Sequence, residues 1–407
     1  MNVPASPRSI VVAGAGLAAT QVTTALREEG FDGRLTVLGS EGVAPYDRPP
    51  LSKHLLDRVE PAWLTTELGV DLSALADEVR LDEPALGLTL GASGVRVATA
   101  RGEVVADALI VATGAHAVRP WTAALTLHTA ADAQVLRGAL RAGDRLVIVG
   151  AGWIGAEVAG IAAAAGVDVT VVEAARTPLA GPLGAAVGAL TAPWYEAAGV
   201  RLVVGARVAE VGDRVLLDDG TSLPADVVLA AVGARPTTAW LAGALPLTAG
   251  GSLLVDEAYA VLGEPPHPRR WVRAVGDVAT RRSARHGWVP GGHWDGALRG
   301  PGELAADLVR PGARAVADHA PYVFSTQFGR ELTLFGQPSD ADEVVLRGDP
   351  AGPWTALWYR PGTDTVSAVL TVDRPRDVGA ARRLFAAPHL PILPRSTATN
   401  PSAPLRP

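Results

Sequence analysis

The chain carries two glycine-rich stretches, Gly14-Ala15-Gly16-Leu17-Ala18-Ala19 and Gly150-Ala151-Gly152-Trp153-Ile154-Gly155. Each follows an apolar run, Ser9–Ala13 or Arg145–Val149, and each opens a stretch with helical periodicity. Glycines at this spacing let the backbone approach a pyrophosphate, whose negative charge the N-terminus of the following helix favours. One such stretch is also compatible with an ordinary tight turn between a strand and a helix, but two in the same context predict dinucleotide binding.

The apolar runs around these stretches repeat one architecture. Second strands are predicted at Arg34–Leu38 and Asp168–Val172, and later strands lead into Ala112-Thr113-Gly114 and Val232-Gly233-Ala234. From about Pro321 onward, short strand-like runs predict a different and smaller domain. The expected fold class is therefore α/β, with two Rossmann-like dinucleotide-binding domains and a C-terminal α+β domain.

The composition excludes several classes of function. A net charge of −6 over 407 residues argues against nucleic-acid binding. The chain has no cysteine, so any redox chemistry must use a bound organic cofactor or non-thiolate metal ligands, and the eight histidines show no tight spacing that predicts a metal site. The sequence shows neither a signal peptide nor a long apolar span, which predicts a cytoplasmic protein without membrane attachment.

Two dinucleotide folds in one chain predict two dinucleotides, usually a flavin that stays bound and a nicotinamide cofactor that exchanges. In the second copy, Glu173 ends the strand that follows the glycines. A carboxylate there accepts hydrogen bonds from a ribose 2′-hydroxyl and repels a 2′-phosphate, which favours NADH over NADPH, although the nearby Arg176 weakens the exclusion of NADPH. Glu173 is also compatible with a solvated acid at a strand end. In the first copy, Glu41 is the predicted ligand of the adenosine ribose, with Ser40 as its competitor.

Several segments resemble a known family. Pro45-Tyr46-Asp47-Arg48-Pro49-Pro50-Leu51-Ser52-Lys53, together with the first glycine stretch, is similar to the opening of the ferredoxin, rubredoxin and putidaredoxin reductases. Ala112-Thr113-Gly114, Ala274-Val275-Gly276-Asp277 and His293-Trp294 extend the resemblance in order over nearly the whole chain. This family lies within the flavoproteins that have two dinucleotide-binding domains, a set that also includes the disulfide reductases.

The resemblance implies roles for individual residues. Lys53, the only lysine of the chain, corresponds to a lysine beside the flavin ring, and Glu157 to a glutamate that pairs with it near the nicotinamide. These two are the predicted catalytic residues, and Asp277 corresponds to the aspartate that holds the flavin ribityl chain. Glu157 is also compatible with an ordinary acid in the first turn of a helix, and Asp277 with an ordinary helix N-cap. The residues predicted to contact the two cofactors are Gly14, Gly16, Leu17, Ala18, Ser40, Glu41, Arg48, Lys53, Leu86, Ala112, Thr113, Gly114, His128, Gly150, Gly152, Trp153, Ile154, Gly155, Glu173, Gly233, Gly276, Asp277 and Trp294.

Two segments depart from the family pattern. His128 stands where the family often has an arginine near the flavin phosphates, and it carries less charge at neutral pH. Phe324-Ser325-Thr326-Gln327 stands where the family has Trp-Ser-Asp-Gln, so an acid is lost at the edge expected to face the partner.

A basic cluster, Arg281, Arg282, Arg285 and His286, is compatible either with docking of an acidic ferredoxin or with a solvated loop.

The resemblance also implies a division of the chain and a function. The predicted parts are an FAD domain (1–116 and 240–318), an NAD domain (117–239), a C-terminal α+β reductase domain (319–388) and a mobile tail (389–407). The predicted function is an FAD-dependent NADH:ferredoxin reductase, in which hydride passes from NADH to flavin N5 and single electrons then pass to a small iron–sulfur protein, one that could feed a P450 or an oxygenase. The alternatives are an NADH oxidase or diaphorase, and a non-enzymatic flavoprotein redox sensor.

Overall fold

The computed structural model describes residues 7–92, 94–263 and 271–406. These residues form two compact units, each built from several segments of the chain. The first unit contains the described residues up to Asp47, Ala62–His116 and Arg235–Pro321, and the second contains Arg48–Pro61, Ala117–Ala234 and the described residues from Tyr322 onward.

A parallel five-stranded sheet forms the centre of the first unit. Its strands, in spatial order, are Val272–Ala274, Ala108–Val111, Ser9–Ala13, Arg34–Leu38 and Glu78–Arg80. The inner strands are buried along almost their whole length, which explains why their sequences are continuously apolar rather than alternating. Two helices, Leu17–Glu28 and Trp294–Val309, pack against each other and contribute Leu26 and Leu304 to the same core.

Smaller elements complete the first unit. A three-stranded antiparallel sheet contains Gly87–Leu90, Val95–Thr99 and Gly102–Ala106, and a second small sheet contains Leu253–Val255, Ala279–Ser283 and Gly287–Val289. The short strands Tyr46–Asp47 and Ala62–Trp63 pair, and short helices lie at Leu64–Glu67, Leu72–Leu75, Ala239–Leu241 and Gly276–Val278. The strands Ala115–Ala117 and Ala234–Pro236 lie where the chain passes from one unit to the other.

The second unit repeats the parallel architecture with four strands. In spatial order these are Arg201–Val204, Asp168–Glu173, Arg145–Val149 and Val227–Ala230. Its helices are Pro50–Lys53, Ala130–Ala139, Trp153–Ala164, Ala180–Ala189 and Ala192–Ala197, and Val208–Val211, Arg214–Leu217 and Ser222–Pro224 form a small antiparallel sheet. In both parallel sheets, the strand before the glycine turn lies between the next strand of the chain and a later strand. The second sheet, which begins at Arg145, therefore has the same central strand order as the first.

The C-terminal part of the second unit is a five-stranded antiparallel sheet. Its spatial order is Tyr322–Gln327, Arg330–Gly336, Val366–Val372, Trp354–Tyr359 and Glu343–Gly348, followed in the chain by helices Pro375–Leu384 and Arg395–Thr399. Leu183 and Trp194 share one apolar core with Leu332, Leu370 and Trp354 of this sheet. This shared core explains why the sheet groups with the second parallel sheet instead of forming a unit of its own.

The described units differ from the predicted division of the chain: the C-terminal part, predicted as a separate domain (319–388), belongs to the second unit, and residues 48–61 and 389–407 differ as well. Residues 48–61, which we expected in the first domain, belong to the second unit, where the Arg137 guanidinium donates to the carbonyls of Leu55 and Arg58 at 2.7 Å each. Residues 389–407 were expected to form a mobile tail, but Leu393 and Ala398 are fully buried within the described part of this segment. Proline content was a poor guide here because it marks the turns of a packed segment as well as a free tail.

Candidate functional site

The first glycine-rich turn has a backbone that only glycine fits. Gly14 has φ +118°, and a Cβ placed on it would lie 2.1 Å from the carbonyl oxygen of Ala112. Its N–H donates to the Leu38 carbonyl at 2.7 Å, which ties the turn to the neighbouring strand. Gly16 stands at the N-cap of helix Leu17–Glu28, and among the described residues no side chain caps this helix start. The first N–H groups, including those of Leu17 and Ala18, are therefore available to an anion.

The second turn repeats this geometry in the second unit. Gly150 has φ +107°, and a Cβ on it would lie 2.4 Å from the Ala231 carbonyl oxygen. A Cβ on Gly155 would lie 2.0 Å from the Gly150 carbonyl oxygen, so the third glycine allows the helix to pack closely on the turn. Gly152 is the N-cap of the helix that Trp153 and Ile154 begin. The two stretches singled out in the sequence thus form the same structure.

Glu173 is oriented by the backbone at the end of its strand. Its Oε2 accepts a hydrogen bond from the Ala151 N–H and its Oε1 from the Ala175 N–H, each at 2.7 Å. The carboxylate is half-buried beside the glycine turn, and each oxygen keeps a further lone pair for a ligand hydroxyl. Arg176 is exposed. This geometry fits the predicted recognition of a ribose.

Tyr195 contributes a fully buried side chain to the same unit. Its ring lies 4.6 Å from the ring of Phe328, centroid to centroid. Burial raises the pKa of the Tyr195 phenol above its ordinary value, and the negative charge of Glu173 acts in the same direction. The phenol of Tyr195 therefore stays neutral within the core of the second unit.

The corresponding carboxylate of the first unit lies after strand Arg34–Leu38. Glu41 is exposed, and its Oε2 accepts a hydrogen bond from the Tyr46 hydroxyl at 2.5 Å. Ser40 is also exposed and forms an isolated bridge with Asp82. Both predicted ribose ligands therefore stand at the same edge of the first sheet, and the hydrogen bond from Tyr46 gives only Glu41 a fixed orientation.

Asp277 lies in the short helix Gly276–Val278, which follows strand Val272–Ala274. Its Oδ1 accepts from the Gly292 N–H at 3.1 Å. A Cβ on Gly291 would lie 2.6 Å from the Asp277 Cα, so two chain segments meet here without room for a side chain. The Trp294 indole donates to the Asp47 carboxylate at 2.7 Å, which joins the start of a long helix to the Pro-rich segment.

The segment Ala112-Thr113-Gly114 is fixed by its own polar groups. The Thr113 hydroxyl donates to the Thr237 carbonyl at 2.6 Å, and the Gly114 carbonyl accepts from the Thr237 N–H at 2.9 Å. Gly114 and Gly276 both have positive φ, +65° and +78°. The first unit thus combines a glycine turn, an open helix start and the carboxylates of Glu41 and Asp277, a set that fits the pyrophosphate, ribose and ribityl groups of an FAD.

Lys53 and Glu157 form a buried ion pair, as the resemblance implied. Lys53 ends helix Pro50–Lys53, and Glu157 lies in the first turns of helix Trp153–Ala164. The side chains are 14 % and 3 % exposed, and the ammonium donates to Glu157 Oε1. The Phe324 ring lies 5.0 Å from the Lys53 Nζ, within range of a cation–π contact. A charged pair is therefore held in a largely dry position.

Three further polar residues that were not predicted as site residues lie around this pair. Ser52 donates its hydroxyl to Glu157 Oε2 at 2.5 Å, and Ser325 donates to Oε1 at 2.5 Å. Gln327 donates in turn to the Ser325 hydroxyl at 3.1 Å. Serine next to the lysine of a specific motif was an available signal for Ser52. The segment 324–327 was recognised as the counterpart of a family motif, but no local pattern predicts that strand Tyr322–Gln327 packs against helix Trp153–Ala164, so the link from Ser325 and Gln327 to Glu157 was not predicted.

Four other predicted contact residues, Arg48, His128, Leu86 and Gly233, lie outside the glycine turns. Arg48 donates to the backbone carbonyl of His128 at 2.7 Å. Leu86 is 57 % exposed. Gly233 has φ +107°, and its carbonyl accepts from the Val118 N–H at 3.0 Å. The geometry leaves the roles of Leu86 and Gly233 as predictions.

The predicted basic docking patch is largely buried. Arg281 forms an ion pair with Asp318 at 2.9 Å, and the Arg285 side chain also lies against Asp318 and is 4 % exposed. Burial lowers the pKa of Arg285 and acts to raise that of Asp318, but the Ser283 hydrogen bond and the Arg281 charge bring the Asp318 pKa below its usual value. Only Arg282 is exposed, and it pairs with Glu257 at 2.9 Å. The interpretation of these four residues as a docking surface is therefore wrong.

Comparison with known proteins places this geometry in a family. The sequence pattern of the pyridine nucleotide-disulphide oxidoreductases matches residues 8–293, and that of the reductase C-terminal domain matches residues 322–407. The ferredoxin–NAD(+) reductase component of the anthranilate 1,2-dioxygenase system of Burkholderia cepacia is 33 % identical over 411 residues, covering 94 % of this chain and 95 % of the relative. A probable ferredoxin reductase of Castellaniella defragrans is 32 % identical over 400 residues, covering 92 % and 93 %.

Solved structures agree with this placement. The crystal structure of Fdr9 superimposes with a TM-score of 0.88 at 36 % identity, covering 98 % of this chain and 100 % of that one. Putidaredoxin reductase, in its covalent complex with putidaredoxin, gives a TM-score of 0.82 at 29 % identity and covers 94 % of both chains.

Fold and site together define a flavoprotein with two dinucleotide-binding folds and a C-terminal antiparallel sheet. The chain belongs to the pyridine nucleotide-disulphide oxidoreductase family. The family resemblance and the fold class predicted from the sequence are therefore confirmed. Among the described residues, no helix combines the length and apolar character needed to cross a membrane.

Proposed function

We infer that this protein is an FAD-dependent reductase that passes electrons from NADH to a small iron–sulfur protein of the ferredoxin type. The main observation behind this inference is the pair of glycine turns. One turn lies in the unit that contains Glu41 and Asp277, and the other lies in the unit that contains Glu173. Curated relatives that match over almost their whole length are ferredoxin–NAD(+) reductase components and a putidaredoxin reductase. The reaction is NADH-driven electron transfer, and we propose that it takes place in the cytoplasm.

The cofactor supplies the electron chemistry: bound FAD accepts a hydride from NADH and releases single electrons. The protein's part is to bind and orient. We propose that the N–H groups at the starts of helices Leu17–Glu28 and Trp153–Ala164 hold the pyrophosphates of FAD and NADH. Asp277 is proposed to accept hydrogen bonds from the ribityl hydroxyls, and Glu41 from the adenosine ribose.

Lys53 and Glu157 are proposed as the residues that act at the reacting end of the nicotinamide and flavin. A fixed ammonium near the ring stabilises negative charge that develops there, and it does so more strongly in a dry position than in water. Glu157 keeps the ammonium in place. The chain contains no cysteine, so a thiol route of electron transfer within the protein is excluded.

The proposed function predicts that NADH-driven reduction of cytochrome c requires an added ferredoxin. The measurement compares turnover with and without a purified ferredoxin, with ferricyanide reduction as the control for intact flavin reduction. Ferredoxin should raise cytochrome c turnover by at least about tenfold, because a specific partner that docks on the protein accepts electrons faster than cytochrome c, which has no matching surface. Equal cytochrome c turnover without ferredoxin, together with rapid oxygen consumption, would support an oxidase instead.

A further inference from the structure

The C-terminal sheet sends two buried polar side chains toward the second parallel domain. Ser325 and Gln327 are two residues apart on strand Tyr322–Gln327, so they share one face of the sheet. Both are essentially inaccessible to solvent. Burial of a hydroxyl and an amide is unfavourable unless they form hydrogen bonds, so their partners indicate what they are for.

These side chains form a directed chain of hydrogen bonds that ends on Glu157. The Gln327 Nε2 donates to the Ser325 Oγ at 3.1 Å, and the Ser325 Oγ donates to Glu157 Oε1 at 2.5 Å. A carboxylate only accepts, so the single hydroxyl hydrogen of Ser325 has to point at Glu157. If the Gln327 amide were turned over, its oxygen would compete for that hydrogen. The Glu157 carboxylate therefore fixes the donor role of Ser325, and Gln327 as a donor to the Ser325 oxygen is compatible with it.

We propose that Ser325 and Gln327 are positioning residues for the Lys53–Glu157 pair. The terminal torsion of a glutamate is broad, so one ion pair does not fix the plane of its carboxylate. Here Ser325 donates to Oε1 and Ser52 donates to Oε2, so both oxygens are held from different directions. The same Oε1 accepts from the Lys53 ammonium, whose position thereby depends on the orientation of the carboxylate.

This inference rests on the proposed role of Lys53 and Glu157 and extends it to the C-terminal domain. A cation that stabilises charge at a reacting ring has to be held to within about 0.5 Å. The Lys53 stem is flexible, and the Phe324 ring and the Glu157 carboxylate are the groups that confine its end. The strand that supplies Phe324 also supplies Ser325 and Gln327, so one element of the C-terminal sheet sets the position of the only lysine.

The kinetic test uses Ser325→Ala, Ser325→Thr and Gln327→Met in the FAD-loaded protein. Stopped-flow bleaching at increasing NADH separates the limiting rate constant from the Kd for NADH. Ser325→Ala should lower the limiting rate about tenfold, the loss expected for one hydrogen bond to a charged group, with Kd unchanged within about twofold. Ser325→Thr should restore most of the rate because it keeps the hydroxyl.

A double-mutant cycle tests the order of the chain. Gln327→Met should cause a smaller loss than Ser325→Ala, and the double variant should be no slower than Ser325→Ala alone, because Gln327 acts only through the Ser325 hydroxyl. Thr371→Val is the matched control, since it removes a buried hydroxyl of the same sheet that pairs with Thr333 at 2.7 Å. This control should keep the rate of the unmodified protein.

A second readout does not depend on activity. Lys53 is the only lysine, so labelling with [15Nζ]lysine gives a single side-chain ammonium signal that needs no assignment. In the oxidised holoprotein, Ser325→Ala and Gln327→Met should move this signal and speed exchange of its protons, and Thr371→Val should leave it in place. If Ser325→Ala does not fold, Gln327→Met and Ser325→Thr carry the same comparison.

The outcomes separate this inference from the proposal on which it rests. If Glu157→Gln slows bleaching and shifts the Lys53 signal but Ser325→Ala does neither, the positioning role is wrong and the role of the pair stands. If Glu157→Gln leaves the limiting rate unchanged, both are overturned. Loss of rate in Ser325→Ala without any change in the Lys53 signal would also contradict positioning through the ion pair.

Discussion

At the scale of single residues, the proposed function depends on carboxylates whose orientation is set by hydrogen-bond donors. Glu173 accepts from two backbone N–H groups, and Glu157 accepts from an ammonium and two hydroxyls. Both acids were predicted as site residues, Glu173 from its distance after a glycine turn and Glu157 from the family resemblance, and their roles stay predictions. The resemblance also paired Glu157 with Lys53, but the hydroxyl donors Ser52 and Ser325 were not predicted as its partners.

The first prediction concerns the choice between NADH and NADPH. Glu173→Gln keeps an acceptor for the ribose but removes the charge that repels a 2′-phosphate, so the ratio of kcat/KM for NADH over NADPH should fall about tenfold, equivalent to about 1.4 kcal/mol. Steady-state ferricyanide reduction with each cofactor measures this ratio. Glu210→Gln, which changes an exposed acid on a neighbouring small sheet, is the control and should keep the original preference.

If the unmodified protein uses both cofactors equally well, the proposed role of Glu173 in recognising the ribose is wrong. The two backbone hydrogen bonds would then make Glu173 a purely structural residue of the turn.

The second prediction separates the function of Lys53 from its contribution to stability. Lys53→Met leaves the Glu157 carboxylate buried without its cation, which should cost about 3 kcal/mol and lower the Tm. The double variant Lys53→Met/Glu157→Gln removes both charges, so it should recover most of that stability. In the single and the double variant, flavin reduction by NADH should be slower than in the unmodified protein by on the order of 10²-fold.

Thermal unfolding and stopped-flow reduction of the same three proteins test this prediction. A double variant that regains both its Tm and its rate would show that the pair only stabilises the fold.

At the scale of elements, the repeated strand–turn–helix units were the most predictable features. Ser9–Ala13 and Arg145–Val149 occur as predicted because a continuous apolar run followed by glycines has few other compatible structures. The C-terminal segment was predicted least well. Its helix Arg395–Thr399 is short and rich in hydroxyl residues, and it is held by tertiary contacts that local sequence does not reveal.

The third prediction concerns this segment. Arg347 is buried, pairs with Asp377 at 3.1 Å, and donates to backbone carbonyls of the C-terminal segment, those of Thr397, Ala398, Asn400, Pro401 and Ala403. Arg347→Met should release the segment, because five carbonyls lose a donor at once, and should lower stability by about 3 kcal/mol. Arg376→Met, an exposed arginine on the adjacent helix, is the control.

Limited proteolysis followed by mass spectrometry measures this release. The Arg347 variant should lose its last residues, from about position 389, much faster than the unmodified protein or the control. Equal cleavage of all three would mean that the segment is held by Leu393 and Ala398 alone.

At the scale of the whole molecule, the fold class and family followed from the sequence, and the grouping of segments did not. The two dinucleotide folds were evident because each has its own glycine turn. Residues 48–61 join the second unit through long-range contacts such as those of Arg137, and these contacts have no periodic signal. The arginines near residue 281 failed as a docking patch for the same reason, since charge in a sequence does not reveal a buried partner such as Asp318.

The central claim is that electrons from NADH leave this protein one at a time for an iron–sulfur protein. The most direct measurement mixes the FAD-loaded protein, reduced anaerobically with NADH, with an oxidised ferredoxin and follows the visible absorbance of the iron–sulfur centre. We predict that each NADH oxidised reduces two ferredoxin molecules, at a rate that rises with ferredoxin concentration. A ferredoxin that stays oxidised, while admitted oxygen reoxidises the protein as fast as NADH reduces it, would contradict the account.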